Sequence, residues 1–298
     1  MDQKELNITG EKANKMGINK VILLIAPALL LVMSFYTISQ LNSEIATYVS
    51  TPKYGNSQTR SYTEQEIKVK DGEYEYKYVF KDHKDNLVTW DWSLRKEFVD
   101  EMSESFGVPV SDAQAGGSAQ DIVNRKMAIK TGLFYEADGK IEPNYKAIAD
   151  VHNIVASPLY TLSEEYAKEI GGNRLDQIET LLKFCQDMPY REPPENYNGR
   201  LIKGVFPPSI SLTKGWGDCD TKAMIFASAL KNSEVFKLVV IYLPNHVLIG
   251  VRGVPRPYQT AVKFRGESYI VCDPSGIKRL RFGERPENAG PIQMIRAI

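Results

Sequence analysis

The period of apolar and polar positions changes several times along the chain, and each period predicts a different kind of element. The run Val21–Ser39, "VILLIAPALLLVMSFYTIS", carries no charged residue and approaches the roughly 20 apolar residues that a helix needs to cross a bilayer. It predicts a transmembrane helix over 21–39 behind a short cytoplasmic tail over 1–20. A cleaved signal peptide would have a shorter apolar region, about 7–15 residues, and a small-residue cleavage site. No A-x-A-like site follows, and a buried helix of a soluble protein is the other alternative. Lys4, Lys12, Lys15 and Lys20 precede the run, against Lys53 and Arg60 after it. That asymmetry predicts a single-pass protein of the inner (plasma) membrane with its C-terminal part periplasmic or otherwise extracytoplasmic. Residues 40–64 lack sustained periodicity and read as a polar tether.

Strand periodicity follows. "YEYKYVF" and "LVTWDWSL" alternate roughly every second residue and flank the polar "KDHKDN", which predicts a β-hairpin. Trp90 and Trp92 then share one face; aromatics at i and i+2 pack into a core, with a carbohydrate platform as the alternative. From Leu94 to about Gly172 the period becomes helical, in "LRKEFVDEMSESF", "AQDIVNRKMAI", "PNYKAIADVHNIVA" and "LSEEYAKEI", with glycine, serine or proline breaks between. Residues 65–172 thus read as a hairpin plus helical elaboration, a region that restricts access or recognises a protein partner. His83 and His152 lack a second ligand at metal-binding spacing and are read as structural. The next helix, "NRLDQIETLLKFCQDMPY", places Cys185 near an apolar stripe. The proline- and glycine-rich "REPPENYNGRLIKGVFPPSISLTKGWG" after it is an irregular connection long enough to line or cover a site.

Composition narrows the class. The chain has 298 residues, 43% of them hydrophobic, enough for one large or two ordinary domains with a real core. Lysine plus arginine and aspartate plus glutamate are equal at 37 each, so no global field points to nucleic acid, which is not expected as a partner.

The chemistry concentrates in "KGWGDCDTKAMIFASAL". The stretch "DTKAMIFASAL", 220–230, is apolar at Ala223, Met224, Ile225, Phe226, Ala227, Ala229 and Leu230, most of a helical circumference, which predicts a buried helix with Cys219 at its start. Unpaired amides and the positive end of the dipole there favour a thiolate and lower a cysteine pKa. Gly215 and Gly217 would allow the turn that presents the sulfur. His246, the sole histidine after Cys219, opens "HVLIGVR" behind the apolar strand "KLVVIYL", and Asp273 closes "ESYIVCD". A carboxylate there would hold one imidazole nitrogen while the other faces sulfur. The residues alone leave open that His246 and Asp273 merely end two strands.

Taken together, "GWGDCDTKAMIFASAL", "NHVLIGV" and "YIVCDPSG", with "FCQDMPY" upstream, resemble the transglutaminase-like cysteine hydrolase superfamily, especially its bacterial members. The resemblance covers about residues 173–285. It implies an α+β, papain-like core over 173–298, in which a nucleophile helix packs on an antiparallel sheet. It also implies Cys219 as nucleophile, His246 as base and Asp273 as orienting acid, with no cofactor or metal. No calcium-loop motif appears, so calcium activation does not carry over. The implied function is a membrane-anchored thiol hydrolase that cleaves peptide or amide bonds of a cell-envelope peptide or protein through a Cys-His-Asp triad and a thioester. An acyltransferase using the same triad, marked by an apolar tunnel on the far side of Cys219, and an unused scaffold module are the alternatives. Cys185 and Cys272 either pair or, as the simpler reading, remain buried free thiols.

Overall fold

Alternate tyrosines and a phenylalanine in "EYEYKYVFK" bury one face of a strand, with Tyr74, Tyr76, Tyr78 and Phe80 inward, as a period of two requires of a half-buried sheet. The computed structural model describes residues 62, 64–113, 119–276, 278–287 and 289–298, all within the compact unit Ala46–Ile298. In chain order the first elements are strands β1 (Glu64–Lys70), β2 (Glu73–Lys81) and β3 (Leu87–Arg95), helix α1 (Lys96–Glu104), strand β4 (Val108–Pro109), and helices α2 (Val110–Ala113) and α3 (Ala119–Ala128). Strands β5 (Phe134–Ala137) and β6 (Lys140–Pro143) follow, then helices α4 (Tyr145–Glu169) and α5 (Arg174–Asp187), and the two-residue strands β7 (Asn196–Tyr197) and β8 (Arg200–Leu201). The last part holds helices α6 (Pro208–Lys214) and α7 (Cys219–Leu230), then strands β9 (Leu238–Leu243), β10 (His246–Arg252), β11 (Ala261–Phe264), β12 (Glu267–Cys272) and β13 (Met294–Ala297).

The fold is α+β. A three-stranded antiparallel sheet, β1–β2–β3, stands apart from a five-stranded one ordered β11–β12–β10–β9–β13, antiparallel at every pairing. Val239, Ile241, Leu243, Leu248, Val262, Tyr269 and Val271 pack as one apolar cluster on the larger sheet. Helix α7 packs against β10 and is flanked by α4, α5 and α6. All of its residues except Asp220 are buried. Part of the connection expected to be irregular is the helix α6, which begins with proline near its N-terminus, a position where the missing N–H costs nothing.

The two sheets meet through α5. This helix is opened by a capping box in which Asn173 accepts from the first turn and Asp176 reaches back. Its Phe184 ring lies 5.1 Å from Trp90, 5.2 Å from Tyr78 and 6.1 Å from Trp92, and Trp92 also stacks on Tyr76 at 4.8 Å. Both tryptophans therefore pack within the protein. His152 is 1% exposed beside Phe106, and burial pushes its imidazole down to about 3, which keeps it neutral. Cys185 and Cys272 are free, fully buried thiols.

The membrane expectation needs correction. The run 21–39 lies outside the described residues, and among the described residues no helix is long and apolar enough to cross a membrane. The longest, α4, is amphipathic: it buries Ile148, Val155 and Leu159 but presents Lys146, Asp150, Glu164 and Lys168 in exposed ion pairs. The anchored architecture, the membrane as a partner and the inner-membrane, periplasmic placement are accordingly not carried forward.

Phe184 is fully buried among the aromatic layers formed by Tyr62 and by Tyr78, Phe80, Trp90 and Trp92 of β2 and β3. Its replacement by alanine is expected to lower the unfolding free energy by about 3–5 kcal/mol, the usual cost of a large aromatic lost from a core. Urea unfolding with an unchanged slope checks this, and a loss below about 1 kcal/mol would mean that the layers do not depend on that ring.

Candidate functional site

The polar residues of the site sit where the apolar pattern of α7, β10 and β12 stops. Asp218 caps α7, its Oδ1 accepting from the Thr221 amide at 3.0 Å, as short acceptor side chains do at helix starts. Gly215 ends α6 with φ +68, a left-handed conformation that favours glycine. A Cβ on Gly217 would come within 2.3 Å of Thr221 Cγ2, so the chain approaches the helix closely before Cys219. The Gly217 amide and carbonyl bond to Pro189 O and the Arg191 amide, tying this turn to the end of α5.

His246 begins β10 after the turn through Asn245, whose φ is +56. Asp273 follows β12, the antiparallel neighbour of β10, so the two side chains meet at one end of the sheet. His246 Nε2 donates to Asp273 Oδ2 at 3.1 Å, while Asp273 Oδ1 accepts from the Ser275 amide at 2.9 Å. Burial pulls the imidazole pKa down, but the hydrogen bond and charge of Asp273, with Asp220 and Asp218 behind them, outweigh it and leave the ring above its ordinary value.

Cys219 and His246 line the same open cleft of about 700 Å³, yet the thiol is not bonded to the imidazole. Its Sγ donates to Asp220 Oδ1 at 3.2 Å, and Asp220 Oδ2 accepts from Tyr145 of α4 at 2.5 Å. The connected Cys-His-Asp triad is therefore corrected to two separate units: a His246–Asp273 pair and an Asp218–Cys219–Asp220 cluster that contains no histidine. The depressed thiol pKa is corrected as well. Burial, then the charges of Asp220 and Asp218, push Cys219 well above an ordinary thiol, with the Val247 amide opposing. Two carboxylates within a residue of the sulfur outweigh the partial charge of a helix end.

Asp218, Cys219 and Asp220 are the one group of clustered metal-type donors among the described residues, their donor atoms lying within 4.8 Å. One Asp218 oxygen and both Asp220 oxygens are already engaged by Thr221, Cys219 and Tyr145, so the cluster is read as a capping and hydrogen-bond network. Opposite it, the Arg296 guanidinium lies over the rings of Tyr135 and Tyr242 and donates to the Tyr135 hydroxyl. The cleft thus has an acidic floor at the sulfur and a cationic, aromatic wall. A second cavity, about 320 Å³, reaches His246 and Asp273 beside Leu280 and Pro286 but does not include Cys219.

The sequence reading missed Tyr145, Asp220 and Arg296. Asp220 was visible beside the cysteine, but Tyr145 and Arg296 stand far away in the chain and no local pattern ties them to it. Comparison with protein-family models, curated proteins and solved structures finds no match.

Two substitutions probe the cluster. Asp220→Asn keeps an acceptor for Tyr145 but removes a charge that holds the thiol protonated; alkylation of Cys219 at pH 7 should rise severalfold to about tenfold, since one pKa unit is tenfold in thiolate. An unchanged rate would show that Asp220 does not govern the thiol. Asp218 is pushed up to about 6, first by burial and then by the charge of Asp220. The folded state therefore binds that proton more tightly than the unfolded chain, a contribution present below about pH 4 and lost as pH rises through about 6. Asp218→Asn keeps the cap without the charge and should gain about 1–2 kcal/mol at pH 7 and little at pH 4. Thermal melts at the two pH values measure this difference.

Proposed function

We propose that this chain is a thiol enzyme acting on amide-type acyl groups, a cysteine peptidase or amidase of transglutaminase-like type. The observation that carries the reading is the His246–Asp273 hydrogen bond at 3.1 Å opening onto the cleft that holds Cys219. An imidazole fixed by a carboxylate is oriented to move a proton. The sulfur stands at the start of a buried helix, 7% exposed, where few orientations are available to it.

In this reading the described arrangement is a resting one. The thiol is protonated and held by Asp220, and an acyl group seated in the cleft has to draw the sulfur from that carboxylate toward the imidazole. His246 then takes the thiol proton, sulfur adds to the carbonyl carbon, and the proton leaves with the amine. Water completes hydrolysis by taking the acyl group from sulfur. Asp273, hydrogen-bonded to His246, keeps the ring oriented. Hydrolysis is preferred to transfer onto an amine because the cleft at Cys219 is open to solvent water.

An electrophilic thiol probe tests the reading across pH, with Cys219→Ala and His246→Ala beside the wild type. The expected result is labelling confined to Cys219, because Cys185 and Cys272 are fully buried, and slowed at least tenfold in His246→Ala. Release of free amine from a peptide mixture should be abolished in Cys219→Ala. A His246→Ala protein that labels at the wild-type rate throughout, with no amine release by any form, would leave a binding module.

A further inference from the structure

Lys222 follows Cys219 by three residues on α7 and is 1% exposed. A buried ammonium is costly unless its donors are met. Here they are met by two backbone carbonyls from distant parts of the chain, Met188 O at 2.5 Å and Ser275 O at 2.6 Å, with the Tyr190 ring 5.7 Å away. Among the described residues no carboxylate accepts from it; Cys185, Asp273, Asp187 and Asp218 act on it only through space. Burial pulls its pKa down to about 8, the sign of a cation kept inside at some cost. A methionine would fill much the same volume without that cost, so the informative feature is what the lysine connects.

Ser275 belongs to the turn that carries the acid of the His246 pair. Its amide donates to Asp273 Oδ1 at 2.9 Å, and Gln186 Nε2 donates to Asp273 O at 2.8 Å. The remaining carboxylate oxygen, Oδ2, accepts a hydrogen bond from His246 Nε2. A continuous line of hydrogen bonds therefore runs from the helix that bears Cys219, through Lys222 and Ser275, to Asp273 and His246. At its other end the same ammonium holds Met188, just before the segment that bonds to Gly217.

We infer that Lys222 is a positioning residue for the His246–Asp273 pair: by clamping the Ser275 carbonyl to the nucleophile helix, it fixes the direction in which Asp273 meets the imidazole. The inference rests on the thiol-enzyme reading for its place in catalysis. It acts through Asp273 and touches no reacting atom.

The sign of one titration separates positioning from charge. Asp273, Asp220 and Asp218 favour protonated His246, while the Lys278–Glu287 ion pair lines the second cavity beside it. Removing the Lys222 charge with the geometry intact would raise the His246 midpoint, because a nearby cation disfavours imidazolium. Releasing the turn instead weakens the Asp273 bond that lifts the ring, and lowers the midpoint.

The test is proton NMR titration of the histidine rings in the full chain, with His246 assigned by His246→Gln, for wild type, Lys222→Met and Lys222→Gln. The glutamine is one bond shorter and cannot span both carbonyls, yet it keeps a polar group in a polar site. The expected result in either folded variant is a fall of one unit or more, tenfold in the proton equilibrium, and loss of the hydrogen-bonded Nε2 proton signal. An unchanged or raised midpoint overturns the inference, and so does failure of both variants to fold, which would assign Lys222 to the fold alone. The readout needs neither substrate nor turnover. A chain whose Cys219 never labels would sink the enzyme reading and leave this result interpretable.

Discussion

Enclosure of α7 is the constraint on which the rest of the molecule depends. A helix apolar around most of its circumference has to be covered on every side, by β10 beneath and by α4, α5 and α6 around it. Its first turn, with unpaired amides and polar side chains, is then carried inside with it, and each group there has to find a partner within the protein. Asp218 takes the Thr221 amide, Thr221 Oγ1 takes the Phe206 amide at 3.2 Å, and Lys222 takes two carbonyls. The polar network of the cleft is thus a direct consequence of burying an apolar helix end-on, and the cysteine sits where that network meets solvent.

The same enclosure decides the state of the thiol. A helix start contributes about half a positive charge spread over several amides. Against it stand burial of the sulfur and then the carboxylates of Asp220 and Asp218 on either side of Cys219. The balance therefore favours the neutral thiol. The imidazole experiences the same two carboxylates with the opposite sign of effect, since they favour its charged form. The same pair of aspartates thus shifts both sulfur and imidazole toward their protonated forms. A thiolate–imidazolium pair is disfavoured at the sulfur and favoured at the ring.

Much of the framework was legible in the chain because it follows local periods. The alternation in "YEYKYVF" and "LVTWDWSL" appears as β2 and β3, and the run after Cys219 as a buried helix. "HVLIGVR" and "ESYIVC" appear as adjacent strands that bring His246 and Asp273 within 3.1 Å. What local pattern could not supply is the partner of the sulfur. The choice between His246 and Asp220 depends on side-chain directions at the end of a helix, and on a tyrosine 75 residues away in sequence. The error in the thiol pKa came from counting the helix dipole and leaving out first the burial of the sulfur, which no local pattern shows, and then the two carboxylates in plain view as "DCD". The short helix α6 was hidden by prolines read as breakers, although proline at a helix start is compatible with the fold.

The region before α5 also takes on a different meaning. As sequence it read as an elaboration that restricts access or receives a partner. In the structure its long helix α4 packs directly on α7 and sends Tyr145 to Asp220. Burial, and then the charge of Asp220, push the Tyr145 hydroxyl up, so it stays a donor throughout the accessible pH range and keeps that carboxylate in place beside the sulfur. From the other side, Phe184 fixes α5 against the three-stranded sheet, and the end of α5 supplies Gln186, which donates to Asp273 O, while the Met188 carbonyl just beyond it accepts from Lys222. Residues remote in the chain thus set both halves of the site: α4 determines where the carboxylate beside Cys219 stands, and α5 determines where the carboxylate beside His246 stands. In this arrangement sulfur and imidazole are each satisfied by a carboxylate of their own, Asp220 for Cys219 and Asp273 for His246.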